Sequence, residues 1–166
     1  MKILVVVRHA KSDWGNPDLH DKDRTLNERG KRDAPIIAKH FAERHIHPQL
    51  LISSTATRAW ATAERFIEAC AIPSQSVQKT DDVYEASVRQ LLHIVNAIDE
   101  KLDVAMLVGH NPGVTELVRY VTDDSFTHMP TCGVAIVTFT NASTWQEVSK
   151  GTGLLSAFLY PKQNND

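Results

Sequence analysis

Cysteine is scarce in this chain: 166 residues hold only Cys70 and Cys132, far apart and without a CxxC context. That excludes a disulfide-stapled scaffold, and both are expected as reduced thiols in a cytoplasmic protein. Long apolar runs are missing too. The opening run, Ile3 to Val7, is five residues, too short for the core of a secretion signal and far too short to cross a bilayer. Charge of one sign is lacking: 18 Lys and Arg against 20 Asp and Glu give a net charge of −2. No global basic field is present to recruit nucleic acid or an anionic membrane, so neither is expected as a partner. Repeats and low-complexity tracts are absent apart from the polar tail Gln163 to Asp166, which is expected to fray. What remains, 42% hydrophobic and 23% charged residues, is ordinary for a soluble globular protein. Its length suits one domain, residues 1–162, able to bury roughly two-thirds of its unfolded surface.

The most informative stretch is the first. Ile3 to Val7 is mostly β-branched, as in a strand buried on both faces, and it empties into Arg8 and His9. An Arg-His pair at a strand end sits where α/β proteins place ligands. A polar loop follows, Ala10 to Arg24, long for a mere connection and therefore expected to be functional. Thr25 to Glu28 fits a capping box with Thr25 as N-cap, opening a helix that runs to about His45. Ala34, Ile37, Ala38 and Phe41 share one face of it, and Pro35 predicts a kink or break near Lys31 to Ala34.

Leu50 to Ile52 reads as a second strand, with the hydroxyls of Ser53, Ser54 and Thr55 as N-caps for a helix from about Ala56 to Ala71. Arg58 then falls in the first helical turn, where the helix dipole disfavours a cation. Its presence there points to a bound anion, or to a surface arginine bonded to a neighbouring acid. Val77 to Val83 reads as an edge strand, and Ser87 with Gln90 caps a helix that buries Val88, Leu91, Leu92, Val95 and Ile98. Val104 to Val108 is a third apolar strand, emptying into Gly109-His110-Asn111-Pro112. Asn111 as N-cap and Pro112 at the first helical position would start a short helix carrying Val114, Leu117, Val118 and Val121. Gly133 to Phe139 and Trp145 to Val148 suggest a hairpin, with Leu154 to Tyr160 returning along an edge.

Three strands thus end on Arg8-His9, Arg58 and His110. Strand–helix alternation implies a mostly parallel sheet with right-handed crossovers, which gathers these ends on one edge. Two Arg, two His and helix N-termini in one crevice suit a tetrahedral dianion. Other features read as ordinary. His45 and His47 suit a solvated surface better than a metal site, Gly151 to Gly153 a turn, and Trp14 either stacks on substrate or folds the first loop onto the core.

Taken together, Arg8-His9-Ala10, Ser53-Ser-Thr-Ala-Thr-Arg58-Ala and Gly109-His110-Asn111-Pro112 resemble the histidine phosphatase (phosphoglycerate mutase-like) superfamily across essentially the whole chain. Within it, the short length, Asp23-Arg24-Thr25-Leu26 and Met129-Pro130-Thr131 resemble SixA-type phosphohistidine phosphatases. The resemblance implies an α/β, three-layer α/β/α sandwich and catalysis through a phosphohistidine intermediate, with no metal and no cofactor. It makes His9 the nucleophile, Arg8 and Arg58 the clamp on the phosphoryl oxygens, and His110 a further contact as charge builds. Arg24 is a further candidate phosphate contact. So is Asn16, although Gly15 stands directly after Trp14 where relatives set an Asn nearby. Position 10 is Ala where the superfamily usually has Gly. Glu85 lies where relatives with mutase or broad phosphatase activity keep a general acid, whereas SixA-type relatives do without a strong one; a solvated loop carboxylate is the plain alternative.

The chemistry agrees with the resemblance. In-line phosphoryl transfer asks a protein mainly for positioning and for neutralising the equatorial oxygens, a task suited to the planar guanidinium fork. Neighbouring cations also keep an imidazole neutral, which preserves its attacking lone pair. The expectation is a metal-independent phosphatase whose partner is a histidine-phosphorylated protein or a small phosphorylated substrate. The alternatives are a small-metabolite phosphomonoesterase or mutase, and a silent phosphate-binding module.

Overall fold

The computed structural model describes residues 1–126 and 128–162; the tail from Gln163 to Asp166, expected to fray, lies outside the described residues. Among the described residues, six strands form one sheet in the order β3-β2-β4-β1-β5-β6. They are β1 (Lys2–Arg8), β2 (Leu50–Ser54), β3 (Val77–Thr80), β4 (Val104–Gly109), β5 (Val134–Phe139) and β6 (Leu154–Leu159). The first four run parallel, with Ile3 opposite Val104 and Leu50 opposite Ala105, while β5 lies antiparallel to both β1 and β6.

The described helices cover the sheet: α1 (Glu28–Ala42), α2 (Thr57–Cys70), α3 (Val88–Asn96) and α4 (Gly113–Thr122). The pleat of β1 sends Leu4 and Val6 to the core under α3 and α4, and Val5 and Val7 to the core under α1 and α2. All four are fully buried, each contributing about 1.5–3 kcal/mol of hydrophobic stabilisation. That two-sided burial is why the run carries no polar alternation, and the result is the expected α/β/α sandwich. At the start of β1, Lys2 is buried, and its ammonium donates to the carbonyls of Glu100 and Leu102 and to Asp103.

Several local expectations are corrected. Asn27, not Thr25, caps α1, accepting from the Gly30 N–H. The Thr25 carbonyl is taken by the Asp13 N–H and Leu26 bridges to Ser12, so this stretch stays extended and the helix starts later. Helix α1 runs unbroken through Pro35, because Pro35 and Lys31 lie on its exposed face, where water can serve the carbonyl left without a donor. It ends at Ala42 rather than His45, which sits in the left-handed region at φ 57°. Strand β3 stops at Thr80, whose hydroxyl accepts from the Asp82 N–H and turns the chain into a 3₁₀ turn, Asp81–Val83. No hydroxyl caps α2, which begins after Ala56. Pro112, not Asn111, is the residue flanking α4; the Asn111 side chain donates to the Met129 carbonyl and accepts from Thr115. Trp145–Glu147 is a 3₁₀ turn, so the hairpin partner of β5 is β6.

Candidate active site

The parallel register fixes the site before any loop is considered. Arg8, the last residue of β1, pairs with Gly109, the last of β4, so His9 and His110 leave adjacent strand ends side by side. Their ring centroids are 5.2 Å apart. Strand β2 lies on the other side of β4 and leads through Ser54 into α2, whose second residue is Arg58. The Nε–H of Arg58 points at His9 Nε2 from 3.4 Å.

His9 is buried, and its Nδ1 donates to the carbonyl of Ala10 at 2.8 Å. A carbonyl can only accept, so this bond places the proton on Nδ1 and leaves the lone pair on Nε2. Burial first, and the positive surroundings of His110, Arg58 and Arg8 after it, hold the His9 pKa down at about 3. Burial likewise lowers His110 to about 4, with Arg58 the next cause. His110 Nε2 lies 2.8 Å from the Ser54 hydroxyl, which already accepts from the Ala56 N–H. In the tautomer that takes the Ser54 proton at Nε2, the hydrogen of the His110 imidazole is on Nδ1. Among the described residues, His110 Nδ1 and Arg8 Nε are buried without a hydrogen-bond partner. Arg8 keeps one bond, from Nη1 to the Met129 carbonyl.

Asp21 organises the other wall. Arg58 donates to its carbonyl oxygen at 2.6 Å and to its carboxylate at 2.9 Å. The Tyr84 hydroxyl donates to the same carboxylate at 2.6 Å, and Arg24 Nε does so at 3.0 Å. These donors, Tyr84 foremost, hold the Asp21 carboxyl well below the usual carboxylate range. Burial and the bond to Asp21 push Tyr84 up to about 12. Arg24 also bonds the Ser12 hydroxyl and stacks under Trp14, its guanidinium carbon 3.4 Å from the ring centre. Trp14 is nevertheless 72% exposed, so its indole forms a rim rather than part of a core. Arg58 is bonded to a neighbouring acid, Asp21, yet it is buried beside His9 rather than on the surface.

A cavity of about 630 Å³ brings together Arg8, His9, Arg24, Arg58, Glu85 and His110. Asn16 is not in its lining; its side chain accepts from the Asp18 N–H in an exposed turn. Glu85 reaches the lining from a left-handed backbone, φ 55°. Asp21, Tyr84 and Ser54 escaped the sequence reading. Asp21 precedes Arg24 by three residues in a loop with no periodicity, and Tyr84 is brought to it only by tertiary contact. His45 and His47 are exposed, and among the described residues no group of three or more metal-ligating side chains is gathered. No described helix is long and apolar enough to cross a membrane.

The arrangement can do one kind of chemistry well. A neutral Nε2 carries the lone pair that in-line attack on phosphorus needs, flanked by guanidinium donors for the oxygens around it.

Residues 4–102 match the histidine phosphatase superfamily (branch 1). An uncharacterised chloroplast protein of Arabidopsis thaliana is 30% identical over 155 residues, which is 87% of this chain and 69% of that protein. The crystal structure of a candidate phosphohistidine phosphatase, SixA, from Agrobacterium tumefaciens is 29% identical, with a TM-score of 0.82 over 96% of this chain and 98% of its own. The protein histidine phosphatase SixA complexed with tungstate shares the fold at a TM-score of 0.80, over 95% of this chain and 96% of its own, with 18% identity.

Proposed function

The chain belongs to the histidine phosphatase superfamily and is a phosphatase, and from that premise we propose that it dephosphorylates phosphohistidine carried on proteins, through a phosphorylated His9. The observation that carries this reading is the His9 imidazole held neutral, with Nδ1 tied to a carbonyl and Nε2 facing Arg58. In the first step Nε2 bonds to phosphorus as the P–N bond of the substrate breaks and its imidazole leaves. In the second, water attacks phospho-His9, releasing inorganic phosphate and restoring the imidazole. Arg8, Arg58 and His110 hold the equatorial oxygens; the unpartnered Arg8 Nε and His110 Nδ1 support that role. Arg24 contributes through Asp21 and Ser12. The free thiols Cys70 and Cys132 support a reducing, cytoplasmic setting for this single domain over residues 1–162.

The leaving group decides the substrate class. An alkoxide needs a proton from a positioned acid, a contribution of about 10²- to 10⁴-fold. The imidazole of phosphohistidine, with a conjugate-acid pKa of about 6.5, can depart already protonated. Tyr84, its proton committed to Asp21, is a poor donor. Glu85 lines the cavity and favours a second reading, a small-metabolite phosphomonoesterase with Glu85 as acid. Challenging the enzyme with a phosphohistidine protein, an aryl phosphate and an alkyl phosphate separates them. On the proposed reading the phosphohistidine rate leads and survives Glu85→Gln. A leading alkyl-phosphate rate that Glu85→Gln removes would replace it with the second reading. Alkaline quenching should leave label on His9, and His9→Ala should abolish turnover while the protein stays folded.

A further inference from the structure

Beside the catalytic cavity, α1 and the end of β6 enclose a second hollow, an open groove of about 870 Å³. Its floor is apolar, with Ile36, Ile37, Phe158 and Leu159, and Ile36 and Tyr160 are left 48% and 53% exposed. Its rim is cationic: Arg29, Arg32 and Lys162 are all exposed. Among the described residues the one acid in the lining, Asp33, is mostly covered and paired with Arg29 at 3.5 Å. The described lining thus sets three cations against one carboxylate, in a chain whose net charge is −2.

The groove is joined to the catalytic cavity by a smaller hollow. That hollow shares Arg8, Lys11 and Thr131 with the cavity and Arg29, Tyr160 and Pro161 with the groove. A ligand with its phosphoryl group at His9 can thus continue along Lys11 and Arg29 into the groove. A small metabolite has no atoms to place so far from its phosphate. We propose that this groove docks an acidic segment of the protein substrate, with apolar side chains on the floor and carboxylates against Arg29, Arg32 and Lys162. The assignment rests on the phosphoprotein reading above. Its charges lie at a rim, where they govern encounter and affinity rather than the chemical step.

The test uses the triple variant Arg29→Gln, Arg32→Gln, Lys162→Gln, none of which lines the catalytic cavity. The probes are p-nitrophenyl phosphate and a histidine-phosphorylated phosphotransfer domain, the latter in two forms, with acidic flanks and with those acids changed to amides. The variant should lose about ten-fold in kcat/KM on the acidic domain, through KM, as expected for a few rim charges. It should keep its rate on p-nitrophenyl phosphate and handle the amide domain as the unmodified enzyme does. The acidic preference of the unmodified enzyme should fade with added salt. Equal losses on all probes, or no loss on the acidic domain, would overturn the groove while leaving the phosphohistidine reading intact. An unmodified enzyme that ignores both domains but hydrolyses p-nitrophenyl phosphate would remove that reading, and the groove's role with it. A dimer of the unmodified protein that the triple variant dissolves, with KM unchanged, would assign the groove to a second copy of this chain instead.

Discussion

Asp21 is the residue on which the site's geometry turns. Its carboxylate accepts from Arg58, Arg24 and Tyr84 together, so the Arg58 guanidinium is oriented before substrate arrives. Asp21→Asn keeps the size and removes the charge. Hydrogen bonds to charged groups are worth about 1.5–3 kcal/mol, so kcat/KM should fall by roughly ten- to a hundred-fold, with the loss shared across phosphohistidine and aryl phosphate. Steady-state kinetics on both substrates would check this, and an unchanged Arg58 role would show as unchanged rates. Arg8→Lys and Arg58→Lys should each cost catalysis more than melting temperature, because a point charge keeps the attraction and loses the fork. Chelator should leave the rate unchanged while vanadate competes with substrate, since those two arginines supply the neutralisation that a divalent ion would otherwise bring. At this scale the sequence was legible where a reactive residue follows an apolar run, as with His9, Arg58 and His110. It was illegible at Asp21, Tyr84 and Ser54, ordinary polar residues whose importance is created by what the fold sets beside them.

Elements explain how the first loop stays over the site. Gly30, in the first turn of α1, passes so close to that loop that an added Cβ would meet the Lys11 carbonyl oxygen at 2.1 Å. Gly30→Ala should therefore destabilise by about 1–3 kcal/mol, the usual cost of overpacking. It should also lower activity, because Lys11 and Ser12 line the cavity beside Arg24. A denaturation midpoint and a rate measured on the same sample would test both. Asn27→Ala should cost about 1 kcal/mol through the lost cap and touch activity less. Strands and helices with strong periodicity were readable to within a residue or two, α2 and α3 among them. Errors included shifted element ends, a break at Pro35 that α1 does not make, and one strand that is not there. Asn27 took the cap from Thr25 because Leu26 was claimed by a bridge to Ser12, and Trp145 was turned from a strand into a 3₁₀ turn. Long-range pairings of that kind leave no local mark in a sequence.

For the whole molecule, the two buried imidazoles make stability depend on pH. Above their ordinary pKa of 6.5 both are neutral in folded and unfolded chains alike, so neither contributes a slope. Below it the unfolded chain takes up protons at both, while the folded one resists until about pH 4 at His110 and about 3 at His9. The unfolded state then binds more protons, so stability falls as pH drops through that window. The lowered Asp21 pKa acts in the same direction, below its ordinary 3.8. Urea unfolding at pH 7, 6 and 5 should show the loss, reaching on the order of 2 kcal/mol per pH unit near pH 5. His9→Gln with His110→Gln should flatten it, and an equally steep slope in that double variant would place the acid sensitivity elsewhere. The pairing of β1 with β4, Ile3 against Val104 through Arg8 against Gly109, carries a last consequence. The 5.2 Å between the imidazoles is close to the spacing of neighbouring strands, about 4.8 Å. The catalytic distance is thus inherited from a contact between segments about a hundred residues apart in sequence, among the slowest kinds to form as a chain folds. No partly folded form that lacks this contact can hold His9 and His110 together, so during refolding the return of turnover should keep time with closure of the central sheet and never run ahead of it.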